Sequence, residues 1–314
     1  MSGSRGVVQR KATAMDVETA CALLHEAGFA VDPCEAAIEG RADRWAVTLP
    51  GGRMAWFPMD PNAAGRLAVE RRVLDLLAAR CSFRVPRVVH ADAAGWQLRE
   101  LVPGTYDPFG LYRRIGSDLV LAEGVGRSLG LILAEQHACA RPEELDWLPD
   151  RLPWPEPSAK LWAKLPQVVT DPPLLRAIEV VLRRHEAATA ASGRVLLHGD
   201  LGLHNLVLTS DGEVAGVFDY DGAACADRHR DFRYLLFPPD VEEAVLGAAL
   251  QAYETTLGIR LDLDLIRLDN AAACAGFLAF RHGTPPEEKS CGRTLGEDLD
   301  WLRWIPGRLG IATA

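Results

Sequence analysis

The sequence predicts an α+β fold in two parts, in which a small antiparallel sheet with a helix precedes a mainly helical region. Within the first 103 residues, short apolar segments at strand spacing are bounded by Gly, Pro and charged residues. Beyond Gly104, apolar residues recur at helical spacing over long stretches. One block of short strands and tight turns, residues 195–218, interrupts these helices. We therefore divide the chain into residues 1–103 and 104–314.

The first part alternates between strand and helix patterns. Gly51 and Gly52 lie between two apolar segments, which is typical of a two-residue hairpin turn. Asp60 followed by Pro61 is typical of a helix start, because an acid caps the free N–H groups and Pro fits the first helical position. In chain order we expect a helix at 15–27, strands at 34–38, 45–49 and 54–57, a helix at 61–80, and strands at 87–91 and 96–102.

The second part is predicted to be mainly helical. Pro103 and Gly104 break the chain before it, and a long apolar pattern then runs from Leu119 to Ala138. We expect helices at 119–138, 158–168, 174–190, 241–257, 264–282 and 294–304.

The block of short strands carries the residues most suited to chemistry. An apolar strand at 195–197 ends in a tight loop that contains Asp200 and Asn205, and a strand at 214–218 delivers Asp219. We expect paired strands to bring these three side chains to one end of a small sheet. One carboxylate can orient a hydroxyl and accept its proton, while an amide oxygen and a second carboxylate can hold Mg²⁺. The block therefore indicates phosphoryl transfer.

The spacing of this block resembles a known family. His198, Asp200 and Asn205 have the kinase catalytic-loop spacing His-x-Asp-x-x-x-x-Asn, with Gly199 between the first two, and Asp219 heads Asp-Tyr-Asp-Gly. This combination resembles the aminoglycoside phosphotransferase and choline kinase-like family of small-molecule kinases. The resemblance implies a two-lobed protein-kinase-like fold, with an N-terminal nucleotide-binding lobe and a C-terminal catalytic and acceptor-binding lobe.

The resemblance also implies an activity and residue roles. The protein would be an enzyme that transfers the γ-phosphate of ATP, with GTP as the alternative donor, to a hydroxyl of a small molecule. An aminoglycoside-like antibiotic or an amino alcohol would be the acceptor. Asp200 would orient the hydroxyl and accept its proton, while His198 would brace the catalytic loop. Asn205 and Asp219 would hold Mg²⁺.

Further roles in the resemblance fall in the first part of the chain. Arg99, Glu100 and Leu101 look like the family's hinge, whose backbone would hydrogen-bond a nucleobase. A charged turn around Gly40 would cover the phosphates. Glu70 lies mid-helix, where the family places a glutamate that pairs with a lysine of the third strand.

That lysine is absent from this chain. The matching position of the third strand is Phe57 or, with the register shifted by one, Trp56, and none of the four lysines lies on a predicted strand. Two arrangements are acceptable, since a buried carboxylate needs a cation. Either Arg44 or Arg53 on a flanking strand supplies the charge, or Glu70 turns to solvent and the phosphates rely on Mg²⁺ and backbone N–H groups.

The missing lysine supports an alternative function, a kinase-fold binding protein that has lost turnover. The filled positions of the catalytic loop and the metal site favour the enzyme, since a scaffold would not need them.

Acids and tryptophans of the last helices are candidates for the acceptor site. Acids would suit a polyamine, and Trp301 with Trp304 would suit an ammonium group by cation–π contact. Charge runs are more often solvated faces, however, and tryptophans at this spacing more often pack in the core. The acids are Asp240, Glu242, Glu243, Glu287, Glu288, Glu297, Asp298 and Asp300.

Composition and charge limit the partners. The 314 residues carry a formal net charge of −9, which argues against nucleic acid. No apolar run is long enough to span a membrane, so we expect no membrane partner. None of the seven cysteines forms a Cys-x-x-Cys pair, which predicts reduced thiols in a cytoplasmic protein. A small-molecule acceptor is the expected partner, and monomer and homodimer both remain open.

Overall fold

The computed structural model describes residues 15–150, 152–188, 193–236, 243–289 and 293–312. Contacts divide the chain into two compact units. Unit 1 comprises the residues up to Ala79 together with Arg84–Pro103, and unit 2 comprises Arg80–Phe83 together with the residues from Gly104 onward.

Unit 1 is built on a five-stranded antiparallel sheet with the strand order β1-β2-β3-β5-β4. Among its described residues two helices occur, and the second continues into unit 2 by one residue. In chain order the elements are α1 (Val17–Glu26), β1 (Ala37–Arg41), β2 (Arg44–Leu49), β3 (Arg53–Pro58), α2 (Pro61–Arg80), β4 (Arg87–Ala91) and β5 (Gln97–Glu100).

Local sequence accounts for the turn and the helix start in unit 1. The strands pair as far as Leu49 and Arg53, so the turn holds three residues, Pro50, Gly51 and Gly52, instead of the two predicted. Gly51 and Gly52 both have positive φ, 74° and 68°, which glycine allows at little cost. The Asp60 carboxylate accepts the N–H of Ala63 at 2.8 Å and so caps α2, which begins at Pro61 as predicted.

The two faces of the sheet differ in chemistry. Val47, Phe57 and Leu98 lie on one face and pack in a buried apolar cluster with Leu24 of α1. Because side chains alternate along a strand, Trp56 lies on the other face. That face meets α2, since the side-chain amide of Gln97 donates to the carbonyl of Leu67 at 2.8 Å.

Two predictions for this sheet are wrong. The first strand starts later, because a 3₁₀ turn at Pro33–Glu35, capped by Asp32, precedes it. Gly40 lies within β1 opposite Trp45 rather than in the turn. A Cβ at this position would come within 2.9 Å of the Trp45 ring, so glycine here makes room for the indole.

Unit 2 is mainly helical and contains two separate two-stranded sheets. Its elements are α3 (Pro108–Ile115), α4 (Leu119–Ala138), α5 (Ser158–Trp162), α6 (Leu165–Val168), α7 (Pro172–Ala187), β6 (Arg194–Leu197), β7 (Leu206–Leu208), β8 (Val214–Val217), β9 (Ala224–Asp227), α8 (Ala248–Leu257), α9 (Leu263–Phe280) and α10 (Leu295–Arg308). The α+β class is thus confirmed.

Strand pairing in unit 2 differs from the single small sheet that was predicted. The strand β6 pairs with β9, which the sequence did not indicate, and β7 pairs with β8. The residues of β6 that point to its two faces are both apolar, so the sequence of this strand does not indicate which strand pairs with it.

Helix predictions in unit 2 hold best for long segments. The helix α4 has the predicted bounds, whereas the predicted helix at 158–168 is interrupted between α5 and α6, and α3 was missed. The start of the helix predicted at 241–257 lies outside the described residues, and a π-helical turn at Glu243–Gly247 leads into α8. Within the described residues, no helix is long and apolar enough to cross a membrane.

Candidate active site

The catalytic loop leaves β6 through a backbone that only glycine fits. Gly199 has φ +87°, and a Cβ there would overlap the carbonyl oxygen of Gly222. The N–H groups of His198 and Gly199 both donate to the Asp231 carboxylate, each at 2.8 Å, and the Arg233 guanidinium donates to the Gly199 carbonyl. The start of the loop is therefore fixed by side chains that lie more than thirty residues away in sequence.

Asp231 is a buried carboxylate surrounded by donors. It is 1% exposed and also accepts from the Gln136 amide at 3.0 Å and from His137 Nε2 at 3.2 Å. Burial lowers the pKa of His137, which favours the neutral ring. Since Nε2 carries the proton toward Asp231, Nδ1 accepts the Tyr253 hydroxyl at 2.8 Å. Burial alone would raise the pKa of Asp231, but its bonds with His137 and with the Gly199 N–H outweigh burial and hold the pKa below its usual range.

His198 connects the two acids of the site through its ring. Its Nδ1 accepts the backbone N–H of Asp200 at 3.2 Å, and its Nε2 therefore carries the proton and donates to the carbonyl of Phe218 at 2.9 Å. Burial lowers the pKa of His198, which keeps the ring neutral. Both ring nitrogens make hydrogen bonds to backbone groups, so His198 is a positioning residue. It fixes the backbone of Asp200 relative to that of Phe218, which precedes Asp219.

The Asp200 side chain is the accessible acid of the loop. It is 49% exposed, and its Oδ2 lies 3.1 Å from His204 Nε2 and 3.4 Å from Asn205 Nδ2. The hydrogen bond to Asp200 raises the pKa of His204 above its ordinary value. One carboxylate oxygen is thus held by the loop.

Asn205 and Asp219 fit the requirements of a Mg²⁺ ion. Asn205 Nδ2 donates to the Asp200 carbonyl at 2.9 Å, which fixes the amide orientation and turns Oδ1 away from this carbonyl. The Asn205 carbonyl accepts the N–H of Phe218 at 3.2 Å, so Asp219 follows directly beside it. Asp219 has a left-handed backbone, φ 70° and ψ 61°, a conformation that costs free energy for a non-glycine residue and is enriched at functional sites. One carboxylate and one amide oxygen suit Mg²⁺, which keeps waters and phosphate oxygens as its other ligands.

In unit 1, Glu70 is buried against arginine. The carboxylate is 1% exposed and makes a bidentate pair with Arg99, at 2.7 Å for both bonds. Arg44 Nη1 lies 3.7 Å from the same carboxylate, and Gln97 Oε1 accepts from Arg99 at 3.2 Å. Glu70 therefore does not turn to solvent, and its principal cation comes from β5 rather than from either of the strands proposed from the sequence.

Trp56 stands on the Glu70 side of the sheet in place of a lysine. The guanidinium carbons of Arg44 and Arg99 lie 5.7 and 5.8 Å from its ring centroid, and that of Arg41 lies 5.5 Å away. Phe57 instead packs in the apolar core on the opposite face. The shifted register, with Trp56 at the lysine position, is thus the one that matches the geometry.

The remaining residues of the predicted nucleotide site lie apart from Glu70. Arg53 donates to the carbonyl of Pro50 at 3.2 Å instead, because β3 begins at this turn. Glu100 pairs with Arg87 at 2.7 Å across β4 and β5. The backbone N–H of Leu101 donates to the Gly52 carbonyl at 2.8 Å and thus already has a partner within unit 1.

Sequence reasoning missed two roles. It assigned Arg99 to the hinge, although its strand position opposite Met54 places it on the face that meets α2. It also assigned no structural role to Asp231, which lies in a charged segment just after β9. Neither role had a local signal, since the burial that makes Asp231 demand partners in the 3₁₀ segment Arg228–Leu235 comes from tertiary packing.

We expect Arg99→Leu to destabilise unit 1 by about 3 kcal/mol, because Glu70 would stay buried without its bidentate partner and Arg44 would compensate only in part. Arg53→Leu, a matched change on the same sheet, should alter the free energy of unfolding by about 0.5 kcal/mol or less. Urea denaturation of both variants measures the difference. Combining Glu70→Leu with Arg99→Leu should recover most of the loss, and equal denaturation midpoints for the two single variants would refute the pairing.

Comparison with solved structures finds antibiotic phosphotransferases. Macrolide 2'-phosphotransferase MphH from Brachybacterium faecium superposes with a TM-score of 0.63 at 23% identity, covering 87% of this chain and 100% of that chain. The GDP and kanamycin complex of APH(2")-IIia gives 0.68 at 18%, covering 93% and 98%. Macrolide 2'-phosphotransferase type I gives 0.62 at 19%, covering 97% and 100%. At these identities the likeness shows the shared fold.

Comparison with curated protein sequences gave no significant match. The family comparison, in contrast, covers most of the chain, since residues 36–265 match the phosphotransferase enzyme family. This match spans both units, including Glu70 and the whole catalytic loop, and it agrees with the resemblance drawn from the loop spacing. The chain therefore belongs to the phosphotransferase enzyme family.

Proposed function

We propose that this protein transfers the γ-phosphate of a nucleoside triphosphate, with Mg²⁺, to a hydroxyl group of a small molecule. The observation that carries the proposal is the arrangement of Asp200, Asn205 and Asp219 around one braced loop. The His198 ring links the loop to Phe218, the residue before Asp219. The Asp231 carboxylate accepts the backbone N–H groups of His198 and Gly199 at the start of the loop. Such rigidity suits a reaction that depends on positioning and on charge neutralisation.

Asp200 is the proposed base and orienting group. Its carboxylate is half exposed, and one oxygen is fixed by His204 and Asn205, so the other is free to accept a hydrogen bond from an acceptor hydroxyl. The hydroxyl oxygen forms the new bond to the γ-phosphorus as the bond to the bridging oxygen breaks. The hydroxyl proton passes to Asp200, and the nucleoside diphosphate leaves.

Asn205 Oδ1 and the Asp219 carboxylate are the proposed ligands of Mg²⁺. When bound, the ion would neutralise charge on the phosphate oxygens. The chain's own contribution is to hold these two ligands at a fixed separation. The Phe218 backbone does this, because its N–H donates to the Asn205 carbonyl while its carbonyl accepts from His198.

Unit 1 is proposed to bind the nucleotide. The Glu70–Arg99 pair would take the structural place of the family's lysine–glutamate pair. Arg44 lies 3.7 Å from Glu70 and 2.9 Å from Asp43, and from between these acids it would contact phosphate oxygens. Arginine suits this exchange because its planar fork can hold a carboxylate and a phosphate oxygen together. ATP is the proposed donor, with GTP as the alternative.

The binding-protein alternative loses its main support. It rested on the missing third-strand lysine, and Glu70 instead has a bidentate cation in Arg99. A protein that only bound ligands would also not need the left-handed backbone of Asp219, a conformation that costs about 1–3 kcal/mol.

The test is transfer of label from γ-labelled ATP or GTP, with Mg²⁺, to a panel of hydroxylated acceptors. We expect stoichiometric release of nucleoside diphosphate and phosphorylated acceptor. Calorimetry of the nucleotide with Mg²⁺ is run in parallel. Absence of both binding and transfer would overturn the proposal, whereas binding without transfer to any acceptor would favour the alternative.

A further inference from the structure

The left-handed backbone of Asp219 needs a physical support. Of the residues that the structure describes, Asp219 is the only non-glycine residue with a positive φ, at 70°. A residue with a side chain keeps such a conformation only where its surroundings leave no alternative, because the conformation itself costs free energy. The placement of the Asp219 carboxylate therefore depends on how firmly the two neighbouring residues are held.

The preceding residue, Phe218, is held through its backbone. Its N–H donates to the Asn205 carbonyl at 3.2 Å, and its carbonyl accepts from His198 Nε2 at 2.9 Å. These two bonds fix the chain before Asp219. They leave the direction of the chain after Asp219 to be fixed by the residue that follows, Tyr220.

Tyr220 is held through its side chain. It is fully buried and begins the 3₁₀ turn Tyr220–Gly222. Its ring centroid lies 4.3 Å from that of the His198 ring, and its hydroxyl donates to Gln136 Oε1 at 2.9 Å. The phenol is thus fixed both at its face and at its tip, and the backbone of Tyr220 is placed by it.

Gln136 is a firmly held acceptor for this hydroxyl. The residue is fully buried on α4, and its amide nitrogen donates to the Leu196 carbonyl at 3.1 Å and to Asp231 Oδ2 at 3.0 Å. Since the nitrogen carries both donors, the oxygen is the atom that faces Tyr220. A continuous chain of hydrogen bonds therefore runs from Asp231, which anchors the catalytic loop, to the residue after the proposed metal ligand.

The hydroxyl group of Tyr220 distinguishes positioning from packing. A phenylalanine would fill the same buried space and keep the ring contact with His198, but it would lack the bond to Gln136. If the ring only filled the core, the hydroxyl would have no bearing on Asp219. If the hydroxyl bond holds the chain, its loss lets residues 219 and 220 adopt other backbone conformations.

We propose that Tyr220 is a positioning residue for the metal site, and that its hydroxyl bond to Gln136 holds Asp219 in the left-handed conformation that presents the carboxylate to Mg²⁺. Without the bond, a fraction of the molecules would relax to a backbone that withdraws the carboxylate. Since apparent affinity falls with the fraction of competent molecules, the Mg²⁺-nucleotide would bind more weakly. This inference rests on the proposed function, because it takes Asp219 as a metal ligand.

Calorimetry with Tyr220→Phe tests the effect on the metal site. We expect the Kd of the Mg²⁺-nucleotide to rise about 5- to 10-fold, the size of one net hydrogen bond, while the Kd of the nucleotide measured with a chelator of Mg²⁺ stays unchanged. Excess Mg²⁺ should restore phosphate transfer. A purely structural role for the hydroxyl would not separate the two Kd values in this way.

Tyr253→Phe is the matched control. Tyr253 is also fully buried in unit 2, and its hydroxyl donates within the core, to His137 Nδ1 at 2.8 Å. The variant removes the same chemical group from the core without changing a sequence neighbour of Asp219. The Kd of the Mg²⁺-nucleotide should therefore keep its wild-type value.

Amide hydrogen exchange of the ligand-free protein separates this inference from the proposed function. The probes are the backbone N–H groups of Phe218 and Ala223, which lie on either side of Asp219 and donate at 3.2 and 3.1 Å. In Tyr220→Phe both should exchange about 5- to 10-fold faster than in the wild type, because the segment opens more often. In Tyr253→Phe both should exchange at the wild-type rate.

Faster exchange together with weaker binding of the Mg²⁺-nucleotide in Tyr220→Phe alone supports the inference. Faster exchange in a protein whose wild type binds no nucleotide would support the hydroxyl bond as the support of Asp219 and overturn the proposed function instead. Three results would overturn the inference: unchanged exchange in Tyr220→Phe, an unchanged Kd where the wild type does bind the Mg²⁺-nucleotide, or equal effects of Tyr220→Phe and Tyr253→Phe.

Discussion

Asp200→Ala should lower kcat by about 10³-fold or more while leaving the Kd of the Mg²⁺-nucleotide unchanged, because its proposed role is to orient the acceptor hydroxyl and accept the proton, and such effects are of this size. The loop should keep its shape in this variant. Its anchors are the Asp231 carboxylate and the His198 ring, which bind backbone atoms and not the Asp200 side chain. Transfer kinetics measure kcat, and calorimetry measures nucleotide binding.

Asp219→Ala provides the contrast. This variant should weaken Mg²⁺-nucleotide binding itself, since the carboxylate is a proposed metal ligand. Asp211→Ala, an exposed acid in the turn between β7 and β8, should change neither quantity and serves as the control. If Asp200→Ala abolished nucleotide binding while Asp219→Ala retained it, the two roles would have to be exchanged.

Asp231→Ala should reduce the free energy of unfolding by at least about 5 kcal/mol, because it leaves several buried donors without an acceptor at about 1–3 kcal/mol each. The orphaned groups are the backbone N–H groups of His198 and Gly199 and the side chains of Gln136 and His137. Asp231→Asn should also be strongly destabilising, since its amide group would place a donor against donors. Urea denaturation with circular dichroism measures both.

Asp75→Ala is the control for this effect, since Asp75 is exposed on α2 and its loss should cost about 0.5 kcal/mol or less. If Asp231→Ala unfolded at the same urea concentration as Asp75→Ala, the loop would have to be held by other contacts. If instead it were destabilised but kept full turnover at low temperature, Asp231 would matter for stability and not for the geometry of the loop.

Local sequence determined the elements and the chemistry of the loop. The bounds of α2, β4 and α4 follow from caps, turns and periodicity within each segment, and the hairpin at Gly51 and Gly52 follows from the left-handed backbone that glycine tolerates. The order of these residues was likewise readable, because Asp200 and Asn205 lie in the loop between β6 and β7 and Asp219 follows β8, all within a single stretch of chain.

Only the tertiary structure decided which distant residues meet. Glu70 receives its cation from Arg99, 29 residues away, and Asp231 holds Gly199 from 32 residues away. Several arginines and acids lie at comparable sequence separations, so spacing alone cannot choose among them. The choice is made when β5 pairs with β3 and when β9 pairs with β6, since strand register then fixes which side chain reaches each buried charge.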